Sequence, residues 1–323
     1  MIHYLTMRKL FPKLLSITIL FMIVVAIGFI PVKPRNEIKE KIPQETAKEK
    51  PLLKGFSITP KSFESKDFLD FFERIRTSSN LVLWAGDVKE LANEKSVANS
   101  LATISKNYGF TPVIIVEWVD KKLILDFVSK VKPPYLGIGN EINRESSSYI
   151  QKLAKDFSEI YPEIKNASPE TKVFPIFQLE LMKGLRGGLF GGINDESKNQ
   201  WKLLDQFPKA DLIAFTTYPA LIYKAPSEIP NDYYSVILTY TEKPVLFTEV
   251  GWSSKIDNPS WETSESEQAE FIKIFEERVN EPEPEFAIWT FMYDQNVQKP
   301  FDTMGLISRD GKEKEGWKVW TEE

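Results

Sequence analysis

The segment Tyr135-Leu-Gly-Ile-Gly-Asn-Glu-Ile-Asn-Arg144 has the pattern around which the fold of this 323-residue chain is organised. It follows Pro133 and Pro134, begins as a short apolar run and ends abruptly at Asn140 and Glu141, which is typical of a buried parallel strand. In barrels and doubly wound sheets, residues just beyond the carboxyl end of such a strand line the mouth of the active site. Glu141 is therefore a candidate catalytic carboxylate.

A second apolar segment, Lys243-Pro-Val-Leu-Phe-Thr-Glu-Val-Gly-Trp252, also carries a glutamate, Glu249, at the end of a predicted strand. Two glutamates that face each other across a cleft are the arrangement that cleavage of a glycosidic bond requires. Glu141 and Glu249 are therefore interpreted as a catalytic pair, and the alternative is that each forms a structural ion pair.

The rest of the body alternates apolar, strand-like segments with amphipathic, helix-like segments. The predicted strands lie at residues 55–59, 81–84, 112–118, 135–139, 173–177, 212–216, 244–248 and 286–291. The predicted helices lie at residues 68–75, 97–108, 123–131, 148–164, 198–207, 233–240 and 265–279, with a short segment at 317–320. This order predicts an α/β fold, a single-domain (β/α)8 TIM barrel over residues 54–323. A doubly wound open sheet is the alternative, disfavoured because polar candidates follow many strands instead of one switch point.

Residues 1–30 predict a membrane-targeting signal. Residues 14–30 form an uncharged apolar run behind basic residues, which predicts an inside amino terminus and an exported body. The run fits a signal anchor that holds the barrel at the cell surface, and Ala26-Ile27-Gly28 also fits a signal peptide cleaved near Gly28 to give a secreted protein. Residues 31–53 are rich in Pro, Lys and Glu and predict a disordered linker.

The composition excludes several kinds of chemistry. The chain has no cysteine, and its single histidine is His3, so the predicted barrel can use no thiolate, histidine base or HExxH zinc motif. Acid–base catalysis must then use carboxylates, tyrosine or lysine. With 41 basic and 46 acidic residues and a net charge of −5, nothing in the body favours nucleic acid. We expect no metal or organic cofactor, and we expect a monomer.

Other polar and aromatic residues follow the predicted strands. Polar groups bind sugar hydroxyls and flat rings pack against sugar C–H faces, so the set predicts a carbohydrate partner. Trp84 fits either a sugar platform or a packing residue, and Glu117 is closer to structural support. Gln178 and Glu180 close the fifth predicted strand without an assigned role. The candidates for substrate binding are Trp84, Glu117, Asn140, Tyr218, Trp252 and Trp289.

Two motifs carry a resemblance to known families. Gly139-Asn140-Glu141-Ile142-Asn143 is similar to the fourth-strand motif of the family 53 endo-galactanases. Thr248-Glu249-Val250-Gly251-Trp252 is similar to the seventh-strand motif of the family 17 β-glucanases. By strand order the resemblance covers residues 55–320, and only these two short motifs are specific. The barrel therefore resembles the clan A glycoside hydrolases, which are retaining (β/α)8 enzymes.

This resemblance implies a role for each matching residue. Glu141 would be the general acid/base, protonated until it donates to the leaving oxygen, and Glu249 would be the ionised nucleophile. Asn140 would bind the 2-hydroxyl of the sugar at the −1 subsite, and Tyr218 would hold the carboxylate of Glu249. Trp289 would form the floor of that subsite. Tyr218 and Trp289 also fit core packing.

The resemblance also implies a cis peptide bond between Trp289 and Thr290. It implies endo action on a β-linked oligo- or polysaccharide that is galactan-like or glucan-like. The absence of histidine from the barrel departs from many clan members and leaves the particular family open. Two alternatives remain, a membrane-tethered transglycosylase that remodels surface glycan and a non-catalytic carbohydrate-binding barrel.

Overall fold

The computed structural model of the protein describes residues 51–322. The predicted signal segment at residues 14–30 and most of the predicted linker lie outside the described residues. The first strand begins at Leu53, the last residue of the predicted linker. Within residues 51–322, the structure contains no helix with the length and apolar character needed to span a membrane.

Parallel strands form a single sheet at the centre of the fold. Their order is β5-β4-β3-β2-β1-β9-β8-β7-β6, so β1 pairs with both β2 and β9 and the sheet curls into a barrel. The (β/α)8 prediction is confirmed. The strands are β1 (Leu53–Ser57), β2 (Leu81–Gly86), β3 (Thr111–Val116), β4 (Tyr135–Ile138), β5 (Lys172–Phe174), β6 (Ile176–Gln178), β7 (Ile213–Thr217), β8 (Val245–Val250) and β9 (Phe286–Trp289).

There is one strand more than predicted because the fifth barrel strand is interrupted at Pro175. Proline has no N–H to donate to a sheet ladder. The segment before Pro175, β5, pairs with β4, and the segment after it, β6, pairs with β7. The two short strands therefore share the fifth position of the barrel, one on the side of β4 and the other on the side of β7.

The first half of the barrel has the predicted helices. They are α1 (Ser65–Ser78), α2 (Val97–Tyr108), α3 (Lys121–Val131) and α4 (Ser147–Ala167). Three of them begin at a side-chain cap, because Ser96, Asp120 and Ser146 each accept a backbone N–H of the first turn. Helix α2 ends at Gly109, whose φ of 78° is the left-handed conformation that glycine adopts most easily.

The second half departs from the prediction. The segments at 198–207 and 233–240 form only short 3₁₀-helices, Trp201–Gln206 and Ser235–Thr239. Pro208 follows the first segment directly, and proline has no backbone N–H with which to continue an α-helix. The remaining α-helices of the described residues are α5 (Leu179–Met182), α6 (Glu265–Arg278) and α7 (Glu315–Thr321), and further short 3₁₀-helices lie in the loops.

Alternation along the strands divides the core into two layers. We call the side chains inside the barrel the inner layer and those between strands and helices the outer layer. At Gly137 an added Cβ would come within 2.6 Å of Ile115 Cγ1, so only glycine fits the crowded interior there. The inner layer consists of Leu81, Leu83, Ala85, Val113, Ile115, Phe174, Ile176, Leu212, Ala214, Leu246, Phe286 and Ile288.

Candidate active site

Glu249 faces the barrel mouth because strand β8 contains a bulge. Leu246 lies in the inner layer, so strict alternation would place Thr248 inside and turn Glu249 towards the helices. The pairing of β8 with β7 shifts by one residue at this point, which leaves Thr248 as the extra residue. The shift reverses the alternation, and Val250 returns to the outer layer. The bulge thus aims the glutamate, a common role of bulges beside active sites.

The carboxylate of Glu249 is 4% exposed and accepts two hydrogen bonds. Asn140 Nδ2 donates to Oε1 at 3.1 Å, and the hydroxyl of Tyr218 donates to Oε2. Burial and the nearby carboxylate of Glu141 raise the pKa of Glu249 to about 8. Hydrogen bonds from Tyr218 and Asn140 and the charge of Arg144 oppose this rise. Glu249 is therefore a buried carboxylate whose ionised form is stabilised by placed donors.

Glu141 lies just beyond β4 in a tight turn. Its φ of 45° is in the left-handed region, which non-glycine residues seldom adopt and which is found disproportionately at functional sites. Thr216 Oγ1 donates to Oε1 at 2.8 Å, and the guanidinium of Arg144 pairs with Oε2. The side chain of Glu141 is 12% exposed and that of Arg144 is 48% exposed. The carboxyl of Glu141 is therefore accessible from the barrel mouth.

Asn143 fastens this turn to the neighbouring strand β6. Its Oδ1 accepts the backbone N–H of Gln178 at 2.7 Å, and its Nδ2 donates to the backbone carbonyl of Gln178 at 3.0 Å. The amide of Asn143 therefore pairs with Gln178 as a peptide group of an adjacent strand would. The second asparagine of the fourth-strand motif thus positions the turn that carries Glu141.

Asn140 has an acceptor that is free for a ligand. Its Nδ2 is committed to Glu249, while its Oδ1 is buried and accepts no hydrogen bond from any residue that the structure describes. A buried polar atom without a partner costs about 1–3 kcal/mol. A hydroxyl group bound beside Glu249 would satisfy this oxygen, which is what a sugar substrate offers.

Tyr218 is 4% exposed and holds its hydroxyl against Glu249. Thr290 Oγ1 donates to the phenol oxygen at 3.3 Å, and the ring of Phe301 meets the tyrosine ring edge-on with centroids 5.4 Å apart. Burial and the charges of Glu249 and Glu141 hold the pKa of Tyr218 well above its usual range. The phenol therefore stays protonated and acts as a hydrogen-bond donor.

Trp289 does not lie at the mouth. It is fully buried in the outer layer, where its ring lies 5.5 Å from that of Trp320 and its Nε1 donates to the carbonyl of Met304 at 2.8 Å. Thr290, the next residue, occupies the mouth-facing position of this barrel strand. The predicted cis bond between them is wrong, since residues 51–322 contain a cis bond only at Lys299–Pro300. Thr290 N donates to the Val250 carbonyl at 3.0 Å, which continues the hydrogen bonding between this strand and β8.

Trp252 and Trp84 also lie in the outer layer. Trp252 is fully buried and stacks on Phe271 of α6 at 5.1 Å, and Trp84 is 4% exposed. Neither ring is available as a sugar platform in this structure. For Trp84, the packing alternative is therefore the one that fits.

Glu117 follows β3 directly and is half-buried at the mouth. Burial and the carboxylates of Asp87 and Glu90 raise its pKa. Its carbonyl accepts a hydrogen bond from the hydroxyl of Tyr149 at 3.0 Å. The structure therefore associates Glu117 with an acidic group beyond β2 and β3, apart from the hydrogen-bonded set around Glu249.

Of the predicted site residues, the structure thus brings together Asn140, Glu141, Tyr218 and Glu249. Sequence reasoning missed Thr216, Arg144 and Thr290, which contact this set. Counting alternate residues from the inner layer of β7 and β9 identifies both threonines, and the three-residue spacing from Glu141 identifies the arginine. Within residues 51–322, no group of three or more His, Asp or Glu side chains is arranged to hold a metal ion.

The sequence matches no protein-family model and no curated protein. Solved structures similar in fold include a family 39 glycoside hydrolase from Bacteroides cellulosilyticus WH2, with 16% identity, a TM-score of 0.57, and coverage of 84% of this chain and 63% of that one. The chain thus spans less than two thirds of that protein. The GH53 catalytic domain of Ignisphaera aggregans has 13% identity, a TM-score of 0.55, and coverage of 83% and 95%.

A glycoside hydrolase family 17 β-1,3-glucanosyltransferase from Rhizomucor miehei is also similar, with 14% identity, a TM-score of 0.57, and coverage of 82% and 97%. At sequence identities this low, the structural similarity establishes the fold alone. Families 53 and 17, which the two sequence motifs resemble, both occur among these neighbours. The resemblance to clan A (β/α)8 glycoside hydrolases is therefore confirmed at the level of the fold.

Proposed function

We propose that the protein is a retaining glycoside hydrolase that cleaves a β-linked oligo- or polysaccharide. The observation that carries the proposal is the set formed by Asn140, Tyr218 and Glu249, with Glu141 beside it at the mouth. A double displacement at a sugar requires two carboxyl groups, and the fixed phenol donor and open amide acceptor suit the orientation of the nucleophile and of a sugar hydroxyl. The fold shared with several glycoside hydrolases supports the proposal by analogy.

In the first step, the carboxylate of Glu249 attacks the anomeric carbon while the carboxyl of Glu141 gives its proton to the departing glycosidic oxygen. The bond between sugar and leaving group breaks, and a covalent glycosyl ester forms on Glu249. In the second step, Glu141 accepts a proton from water, and the resulting attack releases the sugar and restores both carboxyls. Two inversions leave the configuration of the anomeric carbon retained.

The contacts around Glu249 suit the role of nucleophile. The attack needs an ionised carboxylate, whereas burial favours the protonated form. Tyr218, Asn140 and Arg144 each favour the ionised form. Because Tyr218 and Asn140 hold different oxygens of the carboxylate, they also fix the plane in which it meets the sugar.

The substrate would be a galactan-like or glucan-like polymer attacked internally, as the two sequence motifs suggest. On the sequence of residues 14–30, the barrel would lie outside the membrane, anchored at the cell surface or secreted after cleavage near Gly28. These residues lie outside the part of the chain that the structure describes.

Transglycosylation is the second candidate, because an apolar wall adjoins the site. Tyr218, Phe291 and Met304 form a buried cluster, and the partly buried Leu221, Val297 and Phe301 pack against it. Such a wall would favour a second sugar over water as the group that attacks the glycosyl ester. Two solved structures of similar fold are of a β-1,3-glucanosyltransferase from Rhizomucor miehei, which agrees with this second candidate.

The test is hydrolysis by the full chain in detergent across a panel of β-linked galactans, glucans and mannans. It is run beside Glu249→Gln and beside Glu242→Gln, an exposed glutamate just before β8 at the opposite end of the barrel. If wild type and Glu242→Gln hydrolyse one of these glycans and Glu249→Gln does not, the result supports the proposed glycosidase activity. Proton NMR of the first product should show the retained anomer, and products longer than the substrate would indicate transglycosylation. Inert wild type that still binds a glycan would instead identify a non-catalytic binding barrel.

A further inference from the structure

We propose that Glu180 is a positioning residue that holds Tyr218 in place to support Glu249. This inference rests on the proposed function. Glu180 comes two residues after the end of β6 and is 1% exposed. The reaction described above does not use this carboxylate, and a buried acid needs a structural reason for its place in the fold.

Four uncharged donors surround the carboxylate. Its Oε1 accepts the hydroxyl of Thr217 at 2.8 Å, the backbone N–H of Tyr218 at 3.1 Å and the hydroxyl of Tyr233 at 2.8 Å. Its Oε2 accepts from Nε2 of Gln178. Burial raises the pKa of Glu180, and the hydrogen bonds from Thr217, Tyr233 and Tyr218 oppose the rise. Glu180 is thus satisfied as an acceptor at both oxygens.

The hydrogen bond to the backbone of Tyr218 connects this buried group to the site. Tyr218 is the first residue after β7, and its φ of −135° and ψ of 67° belong to neither helix nor strand. Glu180 holds the N–H of this irregular peptide, while Glu249 holds the hydroxyl at the other end of the side chain. Because the backbone and the hydroxyl of Tyr218 are both held, its side chain is already oriented towards Glu249 before the substrate binds. Binding therefore costs no rotational entropy of the phenol.

The chemistry of the neighbours explains why a carboxylate is needed here. In Glu180→Gln, the new amide oxygen can accept the three donors on Oε1, but the new NH₂ then faces the NH₂ of Gln178. Gln178 cannot turn its amide over freely, because its own oxygen accepts the backbone N–H of Leu181 at 2.8 Å. The exchange Gln178→Glu with Glu180→Gln restores a donor opposite an acceptor at every contact.

The experiment measures kcat and KM of the full chain for wild type, Glu180→Gln, the exchanged double variant and the control Glu242→Gln. We expect Glu180→Gln to lower kcat by about 10- to 100-fold with KM within about 2-fold, since the effect is on transition-state geometry. The exchanged variant should recover most of the loss. Thermal unfolding and circular dichroism establish that each variant is folded.

A double-mutant cycle with Tyr218→Phe tests whether Glu180 acts through the tyrosine. If it does, Glu180→Gln should change kcat less than about 2-fold in the Tyr218→Phe background, because the phenol it aims is already absent. Should Glu180→Gln fail to fold, Tyr233→Phe removes a single donor from the same carboxylate. It should lower kcat in the wild-type background and leave kcat unchanged in the Tyr218→Phe background.

Three outcomes would overturn the role. If Glu180→Gln lowers kcat by the same factor in the wild-type and Tyr218→Phe backgrounds, Glu180 does not act through Tyr218. A lowered melting temperature with unchanged kcat would show that Glu180 only stabilises the fold. Both of these leave the glycosidase proposal standing, whereas a wild type inert on every glycan removes the proposed function and this role with it.

Discussion

Glu141 and Glu249 both lie at the carboxyl end of a barrel strand, yet the protein holds them in opposite ways. Glu249 is part of the sheet itself, aimed by a bulge and enclosed by donors from two other strand ends. Glu141 lies in a turn with left-handed backbone, beside the half-exposed Arg144. A group that must meet one carbon atom gains from rigidity, whereas a group that exchanges protons gains from access to solvent. The difference agrees with the roles of nucleophile and acid/base.

The largest effect should come from removing the nucleophile. Glu249→Gln should lower kcat on the order of 10⁴-fold or more, because the amide of glutamine cannot attack the anomeric carbon to form the glycosyl ester. The amide remains able to pair with Asn140, whose Oδ1 is open, and with Tyr218, so the fold should persist. Comparable losses of kcat in Glu249→Gln and Glu242→Gln would contradict the assignment of Glu249 as the nucleophile.

Removing the acid/base should give a loss that depends on the leaving group. In Glu141→Gln, kcat on a polysaccharide should fall by about 10²- to 10⁴-fold, because the departing alkoxide receives no proton. An aryl glycoside with an acidic phenol needs little help, so its loss in the first step should be much smaller. Steady-state kinetics on both substrates provide the measurement, and equal losses would show that Glu141 has another role.

A smaller, pH-dependent loss should follow from Tyr218→Phe. The hydrogen bond from Tyr218 lowers the pKa of Glu249, so its removal raises that pKa further above about 8. The variant should lose about 10²-fold in kcat/KM near pH 6, where less of its Glu249 is ionised, and less near pH 9. Profiles of kcat/KM against pH for both proteins test this, and a ratio independent of pH would contradict it.

The smallest effect should appear in stability. A carboxyl whose pKa is raised on folding stabilises the native state fully below its unfolded pKa, and this contribution is lost as pH rises through the folded pKa, here about 8. Glu249→Gln should therefore melt above wild type by a margin that widens from pH 5 to pH 9, at roughly 2–4 °C per kcal/mol. Glu242→Gln should track wild type in thermal scans, and a margin that narrows with rising pH would refute the argument.

The sequence was sufficient to predict the barrel and to name four residues that the structure brings together, for identifiable reasons. The alternation of strands and helices is a local signal, and Asn140, Glu141, Tyr218 and Glu249 all lie at or just beyond the carboxyl ends of strands. The short helices of the second half were less predictable, because the apolar spacing at 198–207 does not distinguish an α-helix from a 3₁₀-helix.

The bulge and the tryptophans show where sequence patterns fail. Simple alternation in β8 would turn Glu249 outward, so its site role was indicated by its place at the strand end and by its motif, against the alternation. In β9 the reverse occurred, since the family resemblance suggested a site role for Trp289, while alternation from Ile288 in the inner layer places Trp289 outside. Packing decides between these signals, and packing depends on residues distant in sequence.

The interruption at Pro175 has a consequence for the geometry of the reaction. Above Phe174 no backbone ladder joins β4 to β6, and the side chain of Asn143 pairs with Gln178 in its place. In retaining enzymes the two carboxyls lie about 5–5.5 Å apart, and in inverting enzymes about 6.5–9.5 Å. The amide of Asn143 takes the place of a backbone peptide group where the barrel strands part, and it holds the turn that carries Glu141. We therefore expect Asn143 to help set the distance between the two carboxyls, and with it the configuration of the released sugar.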